Sequence, residues 1–138
     1  MKAKKPISLP RLKKRCLDLY SELVKLRAAS DGKLYCYTCS KPLQLNSSDC
    51  QLGHFLSRGA YPGLTFHPDN SRIQDFHCNI GLKGNTVEFR IRLVEEIGIE
   101  RVEALESIRH TQVKWSRSEL HDMIDNFSSE IKELKTNF

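Results

Sequence analysis

A Cys-x-x-Cys pair, Cys36 and Cys39, and a second, altered pair of the same spacing, Asp75 and Cys78, bracket the middle of the chain. Zinc in structural sites takes four soft or borderline ligands in a tetrahedron, and two such turns brought together supply that geometry. Aspartate ligates zinc through oxygen, so a set built from Cys36, Cys39, Asp75 and Cys78 is chemically reasonable. His77 and Cys50 are substitutes for the fourth place, His77 the stronger because it adjoins Cys78. The competing reading is a knuckle without metal, filled by packing. Structural zinc contributes on the order of 10–16 kcal/mol of apparent binding energy to the folding of small domains. Few strands are legible around this knuckle, so its loss is expected to be severe.

The rest of the chain limits what such a staple serves. At 138 residues it suits one domain, 1–138, with a modest core. No apolar run approaches about 18 residues, so no membrane span is expected. The basic N-terminus lacks the apolar centre of a signal peptide. Five cysteines, two of them in a Cys-x-x-Cys, then point to metal binding over a disulfide framework, and to the cytoplasm. Formal charge is +5, unevenly spread. Residues 1–27 hold nine Lys or Arg, among them Lys2, Lys4, Lys13, Lys14 and Arg15, against Asp18 and Glu22, so the remainder is net acidic. That asymmetry suggests an arm or helix that meets nucleic acid, and its plainer alternative is a solvated helix face. The candidate contacts are Lys13, Lys14, Arg15, Arg58, Arg72 and Lys83.

Hydrophobic spacing divides the chain into three parts. Residues 1–30 form a basic lead-in and an amphipathic helix from Pro10 to about Ala29, with Leu12, Cys16, Leu19, Tyr20, Leu23, Val24 and Leu26 on its apolar side. Residues 33–98 form the core: Leu34-Tyr35 leads into the knuckle, and strands are expected over Gln51–Arg58 and Arg72–Asp75. The helical period then returns, with Asn85 and Glu88 as a capping box and Val87, Phe89, Ile91, Leu93 and Val94 as apolar positions up to a capping Gly98. Residues 99–138 supply a short helix to about Ile108, and a last one opened by Ser116-x-x-Glu119 and running to about Leu134. No βαβ repeat occurs, so the expected class is α+β.

Phosphodiester hydrolysis needs a base to activate water, a divalent cation to stabilise charge, and a group that orients the base. His54 suits the first role, being largely neutral at pH 7 if unperturbed. Asn79, directly after Cys78, suits a magnesium ligand, and Asn70 in its Pro-Asp-Asn turn suits the orienting role. Each alone is a weak signal. The order Cys-x-x-Cys, Gly-His, Asp-Asn, x-x-Cys-Asn, helix is the stronger one. His67, His110 and His121 are read as structural or surface residues.

In that order the segment Cys36–Gly98 resembles the lambda-type NinG (Rap) recombination proteins of the HNH, or ββα-metal, endonucleases. The resemblance is carried by Cys36-x-x-Cys39, Gly53-His54, Ser57-Arg58-Gly59-Ala60, Leu64-x-Phe66, Asn70, Gln74, Cys78-Asn79, Gly84-Asn85, Phe89-Arg90 and Ile97-Gly98. Weaker similarity runs on through Glu106-Ser107 and Trp115. The second knuckle with its asparagine is also similar to the phage endonuclease that resolves Holliday junctions. The resemblance implies a zinc-stapled ββα-metal core flanked by the basic helix and the C-terminal helices. It implies cleavage of branched DNA (Holliday junction, D-loop or flap) to a 5′-phosphate and a 3′-hydroxyl, with His54 as base, Asn79 as ligand of Mg²⁺ or Mn²⁺, and Arg58 near the phosphate. A bacteriophage protein acting in its host follows, with a homodimer and other recombination proteins as partners compatible with it. Three positions depart from the pattern: Asp75 replaces a cysteine, Gln51 an acid, and Gly53 the aspartate that precedes the histidine in many HNH enzymes. Asp75 serving magnesium instead of zinc is the alternative that follows. Many relatives have a longer N-terminal extension, which the basic helix is expected to replace in DNA contact. Two classes therefore stand: a metal-dependent endonuclease, or a zinc-stapled DNA-binding module without catalysis.

Overall fold

The computed structural model describes residues 5–136, so Lys2 and Lys4 of the basic lead-in lie outside the described residues. Helix α1 (Leu9–Ala28) starts where Ser8 accepts a hydrogen bond from the Arg11 N–H and Pro10 occupies the first turn. Its buried residues are the apolar positions of the helical repeat, from Leu12 and Cys16 to Leu26. Helix α4 (Arg117–Thr136) lies beside it. Leu12 and Cys16 pack on Leu120 and Ile124, and Leu23 and Leu26 on Ile131, so the two helices run in the same direction. The Ser116–Glu119 capping box is formed: the Glu119 N–H donates to Ser116 Oγ at 3.1 Å and the Ser116 N–H to Glu119 Oε1 at 3.2 Å.

Between these helices in the sequence come two small antiparallel sheets. Strands β1 (Leu34–Tyr35) and β2 (Pro42–Leu43) pair Leu34 with Leu43 and make a hairpin that carries the first knuckle. Strands β3 (Gln51–His54) and β4 (Ser71–Gln74) pair Gln51 with Gln74 and His54 with Ser71. Tyr20 of α1 ties the helix pair to this second sheet: its hydroxyl bonds Ser71 Oγ at 3.0 Å and its ring meets Phe66 and Phe127. A wide π-helical turn (His77–Gly81) leads from β4 towards α2 (Thr86–Ile97), and α3 (Ile99–Ser107) follows. Phe89 and Leu93 of α2 pack with Val102 and Leu105 of α3 and with Phe55. The class is α+β, as expected. No helix among the described residues is long and apolar enough to cross a membrane.

Four expectations are corrected. The strand expected to reach Arg58 stops at His54: the Phe55 N–H still bonds the Asn70 carbonyl at 2.9 Å, but the Leu56 backbone groups turn to a side chain. Asn70 Oδ1 accepts the Leu56 N–H at 2.8 Å and Asn70 Nδ2 donates to the Leu56 carbonyl at 2.9 Å. Its partner strand starts at Ser71 and ends at Gln74, since Asp75 turns its carboxylate onto the following turn. The Asn85 capping box does not form. Asn85 is left-handed (φ 48°), its side chain caps nothing, and Glu88 instead pairs with Arg92. Val87 and Ile91, read among the apolar positions of this helix, are exposed, leaving Phe89 and Leu93 as its buried residues. Gly98 does end α2, at φ 88°, where it also opens α3.

Candidate metal centre and adjoining cleft

The β1–β2 hairpin holds Cys36 and Cys39 on a tight turn, closed by the Ser40 N–H to the Cys36 carbonyl at 2.9 Å and the Cys36 N–H to the Lys41 carbonyl at 2.8 Å. Asp75 and Cys78 come to it from the end of β4 and the π-helical turn. One ligand atom from each of Cys36, Cys39, Asp75 and Cys78 falls within 4.8 Å of every other. Asp75 Oδ1 lies 3.8 Å from Cys36 Sγ and Oδ2 lies 3.4 Å from Cys39 Sγ. Three sulfurs and one carboxylate so gathered fit a single tetrahedral zinc ion. Asp75 is therefore the residue positioned for the fourth place. His77 is exposed and Cys50 packs in the core, and neither belongs to the cluster. Burial works against the Asp75 charge, but hydrogen bonding, led by the Cys78 N–H at 2.8 Å, holds its carboxyl below the usual range. Burial pushes the Cys78 thiol up to about 12, so thiolate ligation there needs a cation.

The turn that delivers Cys78 also builds the wall of an open cleft of about 550 Å³. His54, Arg58, Asn79 and Lys83 all line it. Its histidine is set by the loop opposite: His54 Nε2 lies 2.9 Å from the Thr65 carbonyl, a contact that only a ring protonated on Nε2 makes as a donor. Nδ1 is then the basic nitrogen. Burial lowers the His54 pKa to about 4, Arg58 adding to the fall while the Thr65 carbonyl opposes it, so the ring is neutral at pH 7. Asn79 is held by its amide, which donates to Gln51 Oε1 at 2.9 Å. Gln51, one of the three departures, thus acts on the asparagine. A proton acceptor, two cations and a fixed amide in one cleft suit an anionic ligand.

Gly53, another departure, has a local cause. A Cβ at this position would lie 2.0 Å from Gln74 Oε1, whose side chain fills the space beside the strand. Gln74 is fully buried, with Nε2 bonded to Thr38 Oγ1 and the Gly84 carbonyl. A larger residue before His54 must displace it. Gly53→Ala is expected to lower stability by about 1–3 kcal/mol, as overpacking does, and the further change Gln74→Ala should recover part of that. Thermal melts of the single and double variants measure it; an additive double variant would contradict the clash.

Other expected site residues lie elsewhere. Asn70 is fully buried and outside the cleft, and it acts on Leu56 and the Leu64 carbonyl, which places it in support of the loop after His54. Arg72 is also outside the cleft, paired with Glu96 and stacked 5.3 Å from the Tyr37 ring centre. That residue lines a second cleft, about 690 Å³, together with Arg27, Arg101, Asp69 and Glu96. Each of those arginines has a carboxylate partner (Glu130, Glu96 and Asp69), so this larger cleft offers no uncommitted cation. Lys13 sits 5.7 Å from the Trp115 ring centre and Lys14 pairs with Asp18, both on exposed α1 outside the His54 cleft, as is Arg15. Sequence reasoning missed Thr65, whose carbonyl sets the histidine, and the role of Gln51.

The family described as bacteriophage lambda NinG protein matches residues 4–137. Among individual proteins, Protein ninG of Salmonella phage P22 is 31% identical over 105 residues, and Protein ninG of Escherichia phage lambda 30% over the same length. Each alignment covers 76% of this chain and 50% of the relative, so the chain spans about half the length of the curated relatives it matches. No solved structure matches it significantly.

Proposed function

The chain belongs to the bacteriophage lambda NinG protein family, and we propose that it is an endonuclease which hydrolyses phosphodiesters of branched DNA in recombination. The observation that carries this reading is the shared cleft of His54, Arg58, Asn79 and Lys83 beside the Cys36/Cys39/Asp75/Cys78 cluster. The order β3, β4, metal-bearing turn, α2 supports a zinc-stapled ββα-metal, or HNH, core. In this reading zinc holds the turn, and His54 Nδ1 takes the proton from an attacking water. Arg58 and Lys83 hold the phosphate in line with it, and Asn70 and Thr65 keep the base in place.

Asn79 is the one expected ligand of a catalytic Mg²⁺ or Mn²⁺ in the cleft, and no carboxylate lines it among the described residues. Magnesium is ordinarily held by one or two carboxylates with substrate phosphates. The cleft thus does not fit a resident magnesium ion. A cation would be recruited with the DNA, whose phosphates supply the missing charge. That shortage favours the second reading, a zinc-stapled DNA-binding module without catalysis. Nicking assays on four-way junction, flap, D-loop and linear duplex, with and without Mg²⁺, separate the two. Cation-dependent cuts at the branch are expected, and binding without cutting in any metal would leave the module.

Lys13, Lys14 and Arg15 on α1 are proposed to supply phosphate contacts outside the cleft. The Lys14–Asp18 pair is highly exposed and so holds its lysine weakly. Each phosphate contact adds about 0.9 to the salt exponent on duplex DNA. Replacing all three with alanine should therefore flatten the dependence of binding on salt by up to about three units of slope. An unchanged slope would assign that face to protein contacts.

A further inference from the structure

Two large aliphatic side chains stand in solvent on the turn that follows Cys78. Ile80 is 56% exposed and Leu82 47% exposed. Their turn is not a loose loop. The Asn79 N–H bonds the Asp75 carbonyl at 2.9 Å, the Leu82 N–H the His77 carbonyl at 2.7 Å, and the Gly84 N–H the Cys78 carbonyl at 2.9 Å. Cys78 belongs to the metal cluster. Three consecutive residues then hold positive φ: Lys83 at 52°, Gly84 at 95° and Asn85 at 48°. For a lysine that conformation is unfavourable, and such strain is retained where a fixed presentation matters. Ile80 lines the same cleft as His54, Arg58, Asn79 and Lys83.

We propose that Ile80, with Leu82 two residues further along the turn, is a wedge that enters an interrupted base step of DNA bound in the His54 cleft. This makes the cleft select sites where stacking is already broken. It rests on the reading of the cleft as a DNA site and assigns its substrate preference. The occupant follows from the company Ile80 keeps. Arg58 and Lys83 line the same cleft, and its lining residues include no carboxylate, so an apolar protein surface would leave two cations without partners. DNA brings both halves at once, phosphates for the cations and base faces for the aliphatic chain. In an intact duplex those faces are covered, and opening a step carries an unstacking penalty. At a branch, nick or flap the step is already open, so the wedge gains apolar burial without it. The same turn carries the wedge and Asn79, which places the opened step next to the group expected at the scissile phosphate.

The test uses the full chain with zinc retained and no added magnesium, so that DNA is bound and not cut. 2-Aminopurine at the branch of a four-way junction reports unstacking as a rise in fluorescence, and the same label in a linear duplex is the control. The chain should raise the junction signal. Ile80→Ala should abolish most of the rise and weaken junction binding about tenfold with duplex binding unchanged, whereas Ile80→Met, which keeps an apolar chain, should retain it. Unchanged zinc content and melting temperature establish that the variants are folded. A full rise with both Ile80→Ala and Leu82→Ala would overturn the proposal, as would a self-associated chain that Ile80→Ala turns into monomer. The outcome is independent of cleavage. A wedge signal in a protein that never nicks would leave the wedge standing and remove the endonuclease reading; normal nicking with no effect of Ile80→Ala would do the reverse.

Discussion

His54→Ala is expected to lower junction nicking by about 10²–10⁴-fold, the usual worth of a positioned general base, while DNA affinity and zinc content stay near wild type. Among the described residues the ring bonds only the Thr65 carbonyl, and it lies outside the metal cluster, so its removal touches neither zinc nor the cations that hold phosphate. Asn79→Ala should differ. If its oxygen shares a cation with the DNA, raising Mn²⁺ should recover part of the rate, and no metal concentration should recover His54→Ala. Cleavage by His54→Ala at the wild-type rate would return the protein to the class of DNA-binding modules.

The acid side of the rate profile carries a second signature of the same residue. Neutral imidazole is the working form, and burial with the Arg58 charge holds the pKa at about 4. For the free protein, kcat/KM should thus stay level from pH 8 to about pH 5 and fall only towards 4, instead of dropping through the ordinary histidine range near 6.5. Because the folded pKa is depressed, the unfolded chain takes up the proton first as pH falls. The stability held by neutral His54 is complete above about 6.5 and is lost progressively towards 4. Arg58→Ala should move the limb upward, which an NMR titration of the ring would register without cleavage.

Loss of the metal centre is the other large effect. One zinc per chain is expected after dialysis, and less than a tenth of an equivalent would contradict the site. Removing it by chelation, or by Cys36→Ser or Cys78→Ala, should unfold the middle of the chain. Apparent zinc binding energies of about 10–16 kcal/mol match or exceed the whole stability of a typical domain, about 5–15 kcal/mol. Strands of two and four residues offer little to replace it. Asp75→Cys should keep or tighten the metal, since it restores a fourth sulfur. His77→Ala should leave zinc content unchanged, because that ring lies outside the cluster. Zinc retained by Asp75→Ala at full stability would show that the carboxylate is no ligand. Circular dichroism with metal analysis distinguishes these cases.

The parts legible from sequence alone are those set by local rules. The 3.6-residue repeat of Leu12, Cys16, Leu23 and Leu26 marks α1, because an amphipathic helix must bury one side whatever it packs against. Ser116 and Glu119 mark the start of α4, since a capping box is completed within four residues. The matched spacing of Cys36-x-x-Cys39 and Asp75-x-x-Cys78 marks the metal cluster, because each half is a single tight turn. Tertiary structure decided the rest, through contacts between distant segments. Asn70, 14 residues from Leu56, ends β3 by taking its backbone bonds, a competition that strand periodicity does not record. Asp75 rather than His77 completes the cluster because the Cys78 N–H turns its carboxylate inward. Arg72 and Lys83 are equally basic in sequence, yet one is neutralised by Glu96, contributed by α2, and the other faces the cleft. The chemistry of His54 is likewise a tertiary property: a ring with an ordinary pKa in the unfolded chain becomes a buried neutral base with a fixed tautomer only when Thr65 is folded against it.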